Sequence, residues 1–456
     1  MNPALDFAHA HAARFRQELA DLLRIPSIST DPAYAQEMIQ AADWLVNHLN
    51  AIGLRAERID TQRHPMVYAE WMNAGDAPTV LVYGHYDVQP ADKSDGWHTA
   101  PFEPVEHEGK IYARGATDDK GQFFAHVKAV EALLQADGKL PVNVKFIIEG
   151  EEEAGSGSIR HFIDTQPDQL RADVCIISDT SMVNIDQPVI INALRGGIAF
   201  ELRVTGPRQD LHSGMFGGTV HNPALALAEI LSQLHHPDGR VAVPGFYDDV
   251  RPLTDDERAA INALNWTESD WQEATGAPAP WGESGYSLLE RIGARPTLEI
   301  SGMSSGYTGS GFKSIVPGSA SAKIGCRLVA DQDPQRVFER IRTYIEQITP
   351  PTVQVDLTWG RGFPASLVNI DHPVMQTAVQ AYESGWGVRP VFKREGGSIP
   401  IVGDFQQKLG LPVVLMGFGL DSDNLHGPDE HFSIAMFERG IATSIAFLQL
   451  MQPELE

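Results

Sequence analysis

Three clusters of acidic and histidine residues follow strand-like apolar runs in the stretch Val80–Gly155, and this arrangement constrains the fold most strongly. The clusters are His85–Asp87, Asp118–Asp119 and Glu151–Glu153. Apolar runs of about four to eight residues bounded by turn residues are typical of buried strands. Because open α/β sheets bind ligands at the carboxyl ends of their strands, we expect the three clusters to converge on one crevice. An imidazole with several carboxylates is typical of a zinc or manganese site.

Helical and strand-like segments alternate through the first part of the chain. Predicted helices cover about residues 4–24, 33–52 and 121–135, and predicted strands cover about 54–59, 66–71, 79–83, 142–148 and 172–178. Strands that alternate with helices indicate an α/β fold with a mostly parallel, helix-covered sheet.

The pattern changes near residue 190 and changes back near residue 364. Between these points, strands are predicted at about 198–204, 320–329 and 353–359, and helices at about 222–234 and 333–348. After them come a predicted helix at about 372–385, a strand at 411–416 and a C-terminal helix from about 432. We therefore predict a catalytic domain in two parts, 1–190 and 364–456, with an inserted α+β domain at 191–363. The irregular stretch 240–318 is either an excursion of the insert over the active site or an ordinary surface elaboration.

The composition is that of a soluble globular protein with a strong acidic excess. The 456 residues carry a formal net charge of −25. This charge argues against nucleic acid and anionic membrane surfaces as partners, and it also favours solubility.

The two cysteines, Cys175 and Cys326, lie in apolar, strand-like surroundings. We interpret both as buried core residues rather than as metal ligands or a disulfide. The first residues show no secretory signal, and no apolar run approaches the ~20 residues that span a bilayer. We therefore expect a cytoplasmic protein.

Each motif has an ordinary structural explanation when it is considered alone. Asp118 and Asp119 precede a predicted helix and could cap it. Three consecutive glutamates are usually a solvated face, and the residues alone do not decide which of Glu151–Glu153 has a special role. A one-zinc protease of the His-Glu-x-x-His type is disfavoured because that motif is absent. Four other histidines are interpreted as helix-surface residues: His126, His161, His235 and His236.

Taken together and in order, the motifs resemble those of the aminoacylase/carnosinase-type metallopeptidase family. The resemblance covers nearly the whole chain, from Ile25–Ser29 to Asn424–Glu430. It is closest to the carnosine-dipeptidase branch through Asp210–Gly214 and Arg394–Pro400. The resemblance implies that the insert is a dimerisation or lid domain with a four-stranded sheet and two helices on one face.

The resemblance also implies a two-metal site. His85 and Asp179 would hold one metal, Glu153 and His426 would hold the other, and Asp118 would bridge both. The family also implies a cis peptide bond after Asp118. Zinc is the first choice of metal, with manganese and cobalt as alternatives. Three carboxylates against two divalent ions leave a charge of +1, which a bridging hydroxide would neutralise.

Further roles follow from the same resemblance. The family's Glu-Glu-x-Gly spacing, which ends here at Gly155, assigns the general base to Glu152. Asp87 would accept a hydrogen bond from the imidazole of His85 and would thereby orient it.

Three residues of the insert region and its neighbourhood complete the expected site. His212 would stabilise the tetrahedral oxyanion in the active site of a partner subunit, which implies a homodimer with shared sites. Arg327 would bind the free carboxylate of the substrate, and Ser398 would contact the same group. The alternatives are a surface ion pair for Arg327 and a turn serine for Ser398. Ser314 stands where the family commonly has threonine.

The sequence thus predicts a two-metal peptidase that hydrolyses dipeptides or other short peptides with a free C-terminus. An N-acyl-amino-acid amidohydrolase or a carboxypeptidase on the same scaffold is the alternative. A metal-dependent binding protein without catalysis is disfavoured because it needs no general base. A structural zinc module is disfavoured because such sites are closed and rich in thiolates.

Overall fold

The computed structural model describes residues 2–452 and divides into two compact units. The first unit comprises the residues up to Asn192, Val368–Lys393 and the residues from Ile401 onward. The second unit comprises Ala193–Leu367 and Arg394–Pro400. The long segment of the second unit begins and ends within a few residues of the insert predicted at 191–363.

The helices and strands are numbered in chain order. The helices are α1 (Pro3–Ala10), α2 (Ala12–Leu23), α3 (Ala35–Ala51), α4 (Lys120–Asp137), α5 (Gly157–Thr165), α6 (Ser213–Phe216), α7 (Pro223–Ser232), α8 (Asp255–Ala263), α9 (Glu268–Thr275), α10 (Leu288–Ala294), α11 (Pro334–Ile348), α12 (Pro373–Trp386), α13 (Ile401–Lys408) and α14 (Ile434–Leu450). The strands are β1 (Arg55–Ile59), β2 (Met66–Trp71), β3 (Thr79–His85), β4 (Val105–His107), β5 (Lys110–Tyr112), β6 (Asn143–Glu149), β7 (Val174–Ile177), β8 (Ser181–Met182), β9 (Val189–Leu194), β10 (Gly196–Thr205), β11 (Leu211–His212), β12 (Thr297–Ser305), β13 (Ile315–Val316), β14 (Ser319–Leu328), β15 (Gln354–Phe363), β16 (Ser366–Leu367), β17 (Val391–Glu395), β18 (Val413–Leu415), β19 (Gly419–Leu420) and β20 (His431–Ser433).

A large sheet forms the core of the first unit. Its strands follow the order β1-β2-β6-β3-β7-β18-β9, and β17 also pairs with β9. The central strands β6, β3, β7 and β18 are parallel, whereas β1, β2 and β9 pair antiparallel at the two sides. Because β3 and β7 are buried almost throughout, they appear in the sequence as nearly continuous apolar runs. The predicted α/β class with a parallel, helix-covered centre is confirmed.

The buried helix α4 connects the sheet to the candidate site. Residues 120–133 of this helix are all buried, and the helix packs against α14, α1 and β3. Gly84 of β3 permits this close packing, because a Cβ atom there would lie 2.5 Å from Cβ of Phe123. Gly138 ends the helix in the left-handed conformation, with φ of 69°. The start of α4, directly after Asp118 and Asp119, is therefore held firmly against β3.

The second unit contains a four-stranded antiparallel sheet in the order β12-β14-β10-β15. Helices α7 and α11 pack against β10, and each begins with a proline, whose fixed φ suits the first helical turn. Alternate residues of β10, such as Phe200 and Leu202, join both helices in one apolar core. The four-stranded sheet with two helices on one face, implied by the resemblance, is confirmed.

Three details test smaller predictions. Cys175 and Cys326 are both free and buried, as predicted. His126 was predicted on a helix surface, and this was wrong. Its side chain is buried, with Nε2 2.6 Å from Ser178 Oγ and Nδ1 2.9 Å from Ser444 Oγ. Within residues 2–452 no helix has both the length and the apolar character that crossing a membrane requires.

Candidate metal centre

The ends of neighbouring parallel strands assemble a first set of ligands. Strands β6, β3 and β7 are adjacent, so the loops that follow them lie side by side. His85 is the last residue of β3, and Asp179 follows β7 by two residues. His85 Nε2 lies 3.0 Å from Asp118 Oδ1 and 3.8 Å from Asp179 Oδ2. These three side chains form a group that could hold a metal ion.

Asp118 also belongs to a second set of ligands. His426 Nε2 lies 2.9 Å from Asp118 Oδ2 and 3.4 Å from Glu153 Oε1. Within each set, all ligand atoms lie within 4.8 Å of one another. The structure therefore brings the five predicted ligands together in two groups, with Asp118 common to both.

The orientation of His85 fits a metal ion. Its Nδ1 lies 3.0 Å from the carbonyl oxygen of Asp87, so Nδ1 carries the proton and donates it. The lone pair of Nε2 then points toward the carboxylates of Asp118 and Asp179. Nε2 is buried and makes no hydrogen bond among the described residues. A lone pair directed at two carboxylate oxygens is unfavourable unless a proton or a metal cation lies between them, and nitrogen with oxygen donors suits zinc, manganese or cobalt.

The pKa values of the site reflect its crowded negative charge. Burial, and then the charge of Asp118, hold the pKa of Asp179 well above its usual range. Hydrogen bonds to Asp118 and Glu153 raise the pKa of His426 to about 10. Protons on these groups thus offset the clustered carboxylates, and divalent cations would replace those protons.

Glu152 lies beside the ligands without belonging to either group. It begins the single helical turn Glu152–Ala154, which follows β6. Burial raises the pKa of its carboxyl group to about 8. Among the described residues, its carboxylate makes no hydrogen bond, whereas the neighbouring Glu151 accepts hydrogen bonds from the main chain of His64 and Ser158. Glu152 is therefore free to exchange a proton, and Glu151 holds the loop.

Asp87 positions two parts of the site, the glutamate loop at residues 151–153 and the imidazole of His85. Its carboxylate accepts hydrogen bonds from the main-chain nitrogens of Glu152 and Glu153, at 3.2 and 3.1 Å. Ser29 Oγ donates a third hydrogen bond at 2.6 Å. The nearer partner of His85 Nδ1 is the carbonyl oxygen of Asp87, and the carboxylate Oδ1 lies 3.4 Å away. Asp87 thus orients the imidazole mainly through its main-chain carbonyl group.

A buried ion pair between Arg114 and Glu430 connects two ligand loops, and the sequence did not assign it a role. Glu430 accepts hydrogen bonds from the main-chain nitrogens of Gly115, Thr117 and Asp118, at 3.0 to 3.1 Å. Arg114 donates to Glu430 at 2.7 Å. Arg114 also donates to the carbonyl oxygen of a metal-ligand candidate, His426, at 3.2 Å.

Two further polar residues support the ligands and were also missed. Gln89 Nε2 donates a hydrogen bond to Glu153 Oε2 at 2.6 Å. Asp119 Oδ2 accepts one from the main-chain nitrogen of His85 at 3.2 Å. Asp119 makes no side-chain cap at the start of α4, so the helix-cap interpretation of this residue was wrong. The cis peptide bond between Asp118 and Asp119, implied by the resemblance, is present.

The remaining predicted site residues belong to the second unit. Arg327 of β14 donates a hydrogen bond from Nη1 to Ser398 Oγ at 2.8 Å. His212 is exposed at the end of β11, and its Nδ1 accepts a hydrogen bond from the main chain of Gly214 at 3.0 Å. The imidazole Nε2 of His212 has no partner among the described residues of this chain.

Known proteins resemble the chain over nearly its whole length. It is 32% identical over 443 residues to Cys-Gly metallodipeptidase dug1 of Schizosaccharomyces pombe, covering 94% of this chain and 93% of that protein. It is 30% identical to the Beta-Ala-His dipeptidase of Homo sapiens, covering 98% of this chain and 92% of that protein.

Solved structures show the same relationship. The crystal structure of human carnosine dipeptidase 1 matches with a TM-score of 0.84 at 30% identity, covering 98% of each chain. An M20 family metallo-carboxypeptidase from Sulfolobus solfataricus matches with a TM-score of 0.83 at 32% identity, covering 96% of this chain and 99% of that one. The pattern of peptidase family M20/M25/M40 matches residues 81–450. The chain therefore belongs to peptidase family M20/M25/M40 and is a hydrolase.

Proposed function

We propose that this protein is a two-metal dipeptidase, which hydrolyses the peptide bond of dipeptides and other short peptides with a free C-terminus. One observation carries the proposal: a single carboxylate, Asp118, belongs to two metal-ligand groups beside the half-buried, uncommitted carboxylate of Glu152. The similarity to Cys-Gly and Beta-Ala-His dipeptidases over more than nine tenths of the chain supports this substrate class.

Each ligand group would hold one divalent cation. His85 and Asp179 would bind the first, Glu153 and His426 the second, and Asp118 both. Such cations polarise the scissile carbonyl group and lower the pKa of the attacking water to about 7. Zinc is the first choice because histidine with carboxylates is a common zinc set, and manganese and cobalt accept the same donors.

Glu152 would act as the general base and then as the general acid. It takes a proton from the attacking water and passes it to the leaving amine. Asp87 supports this role because its hydrogen bonds to the main chain of Glu152 and Glu153 hold the base and a ligand in fixed relation. A purely binding site would not need an uncommitted, half-buried carboxylate next to the ligands.

Arg327 and Ser398 would recognise the C-terminal carboxylate of the substrate. The hydrogen bond from Arg327 to Ser398 holds one edge of the guanidinium group and leaves the other donors available. A planar guanidinium binds a carboxylate through two parallel hydrogen bonds.

We further propose a homodimer in which His212 completes the active site of the partner subunit. His212 is exposed and is followed by two exposed apolar side chains, Met215 and Phe216. Phe312 and Tyr307 are exposed in the same unit. An exposed imidazole among exposed apolar residues suits a protein–protein interface, where His212 would stabilise an oxyanion. The two free, buried thiols fit the reducing cytoplasm, where we place the enzyme.

A substrate panel tests the proposed function. Metal-free protein is reloaded with zinc, manganese or cobalt and assayed with Ala-Gly, Cys-Gly, β-Ala-His, N-acetyl amino acids and a blocked carboxypeptidase substrate. We expect metal-dependent hydrolysis with the highest kcat/KM for unblocked dipeptides. Faster hydrolysis of N-acetyl amino acids or of the blocked substrate would assign the protein to the amidohydrolase or carboxypeptidase alternative. Absence of metal-dependent hydrolysis throughout would refute the proposal.

A further inference from the structure

The open face of the second-unit sheet carries a groove of about 670 Å³. Its floor consists of small residues, because Gly197 and Ala199 of β10 lie beside Gly325 of β14. In the sheet register, Gly197 is opposite Arg327, and Ala199 is opposite Arg361 of β15. The two arginines therefore lie on opposite sides of the same hollow, on the same face of the sheet.

The charges along this groove leave the two arginines without carboxylate partners. Glu201 is opposite Lys323 in the register of β10 and β14, so these two charges face each other. Glu299 also lines the groove. Among the described residues, no carboxylate oxygen lies within 4.0 Å of a guanidinium nitrogen of Arg327 or Arg361. Three cations and two carboxylates thus line a groove in a chain whose net charge is −25.

The positive charge of Arg361 acts electrostatically on Arg327. Burial, and then the positive charge of Arg361, lower the pKa of Arg327. Burial, and then the charge of Arg327, lower the pKa of Arg195 to about 10. Like charges on opposite sides of a hollow attract anions to it, because an anion between them relieves their repulsion.

Local hydrogen bonds hold the guanidinium groups of Arg327 and Arg195 before any ligand binds. Ser398 accepts from Arg327 at 2.8 Å, and the carbonyl oxygen of Gly396 accepts from Arg195 Nε at 2.9 Å. No such hydrogen bond holds Arg361 among the described residues, so its donors are available to a ligand. The small side chains of Gly197, Ala199 and Gly325 leave the space between the arginines open.

We propose that Arg361 forms a second carboxylate subsite, which selects dipeptides whose C-terminal residue is aspartate or glutamate. This proposal rests on the proposed dipeptidase function and on Arg327 as the partner of the main-chain carboxylate. Arg361 binds the side-chain carboxylate across the hollow, and the small floor residues admit that side chain. Arginine suits both positions because its planar fork matches a carboxylate.

The test compares substrates that differ only in the side-chain charge. We expect kcat/KM for Ala-Glu to exceed that for Ala-Gln by about 10-fold at low salt, and the ratio to decline as salt screens the charges. In Arg361→Met the ratio falls close to one. In Arg361→Glu the preference changes to Ala-Lys over Ala-Glu. Arg336→Met is the matched control, because Arg336 is an exposed arginine on α11, which packs on the other face of the sheet. This control keeps the wild-type ratio.

Two results overturn the proposal: equal kcat/KM for Ala-Glu and Ala-Gln in the wild type, or an unchanged ratio in Arg361→Met. Hydrolysis of Ala-Gly separates these results from failure of the proposed function, because Ala-Gly has no side-chain charge. If no dipeptide is hydrolysed, calorimetric binding of Ala-Glu and Ala-Gln to the metal-free protein gives the same comparison. Tighter binding of Ala-Glu that disappears in Arg361→Met then supports the subsite, and equal binding refutes it.

Discussion

At the scale of single residues, Glu151 and Glu152 are adjacent in the sequence yet have opposite surroundings. Glu151 accepts hydrogen bonds from the main chain of His64 and Ser158, whereas Glu152 accepts none among the described residues. Removing the charge of Glu152 should therefore leave the loop intact. We predict that Glu152→Gln retains both metals and loses about 10²–10⁴-fold in kcat. Metal analysis together with steady-state kinetics measures both quantities.

Glu151→Gln provides the matched control for that experiment. Its carboxylate joins the loop to its neighbours, so this variant should unfold at a lower temperature and keep a kcat much closer to wild type. Wild-type kcat in Glu152→Gln would show that another group acts as the base.

His126 makes a prediction about the pH dependence of stability. Burial lowers its pKa to about 3, compared with the ordinary value of 6.5. Between these values the unfolded chain binds the proton and the folded chain does not, so the free energy of unfolding decreases as the pH falls below about 6.5. We predict a shallower decrease for His126→Gln in urea unfolding between pH 7 and pH 4. His161→Gln, an exposed change on α5, should follow the wild type. Parallel profiles for wild type and His126→Gln would contradict this role.

The outcome for His126 also shows what a sequence pattern can reveal. The apolar residues of α4 repeat at helical spacing, which predicted one buried face and left His126 on the surface. In the structure residues 120–133 are buried on all sides. Polar residues such as Lys128 and His126 are inside because ion pairs or hydroxyl groups satisfy them. Such partners come from distant parts of the chain and leave no local pattern.

At the scale of structural elements, the loops that carry the ligands depend on the Arg114–Glu430 pair. Mutation of a residue that holds a metal ligand in place typically lowers the metal affinity by about 10- to 100-fold. We predict a loss of this size in Glu430→Gln and in Arg114→Met, measured by competition with a chromophoric chelator. The loss arises because the main chain at Asp118 and at His426 is no longer fixed by one ion pair.

The ion pair between Arg295 and Glu283 is the control. It is bidentate and largely buried, and it lies within the second unit. Glu283→Gln should lower the stability and leave the metal affinity unchanged. Equal metal affinity in Glu430→Gln and wild type would show that the Arg114–Glu430 pair does not support the metal centre.

Burial alone does not decide which strands could be predicted, because β15 was predicted although all of its residues are exposed or half-buried, and β9 was missed although all of its residues are buried. β3 and β7 are buried almost throughout, and each appears in the sequence as an apolar run that ends at or shortly before a site residue. β12 lies at the edge of its sheet, and most of its residues are exposed or half-buried. It lacks an alternating apolar pattern, and it was assigned to the irregular stretch 240–318. That stretch also contains α8, α9 and α10, which are short helices.

At the scale of the whole molecule, the proposed shared active site predicts complementation between inactive variants. His212→Ala and Glu152→Ala homodimers should both be nearly inactive. In a hybrid dimer, the chain with intact Glu152 receives His212 from its partner, so one of two sites is whole. Random pairing of equal amounts makes about half of the dimers hybrids, and activity should recover to roughly a quarter of wild type.

Co-expression with two affinity tags isolates the hybrids for this measurement. The purified hybrid should have about half the wild-type activity per dimer. Hybrids that stay as inactive as both parents would refute the shared site and would leave the metal ligands unaffected.

The metal centre itself is tested most directly by diffraction at the zinc absorption edge, from crystals of the protein loaded with Zn²⁺. We predict two anomalous peaks per chain, roughly 3.5–4 Å apart, each about 2.0–2.2 Å from one carboxylate oxygen of Asp118. One peak should contact His85 and Asp179, and the other should contact Glu153 and His426. A single peak, or two peaks of which either lies away from Asp118, would contradict the two-metal site.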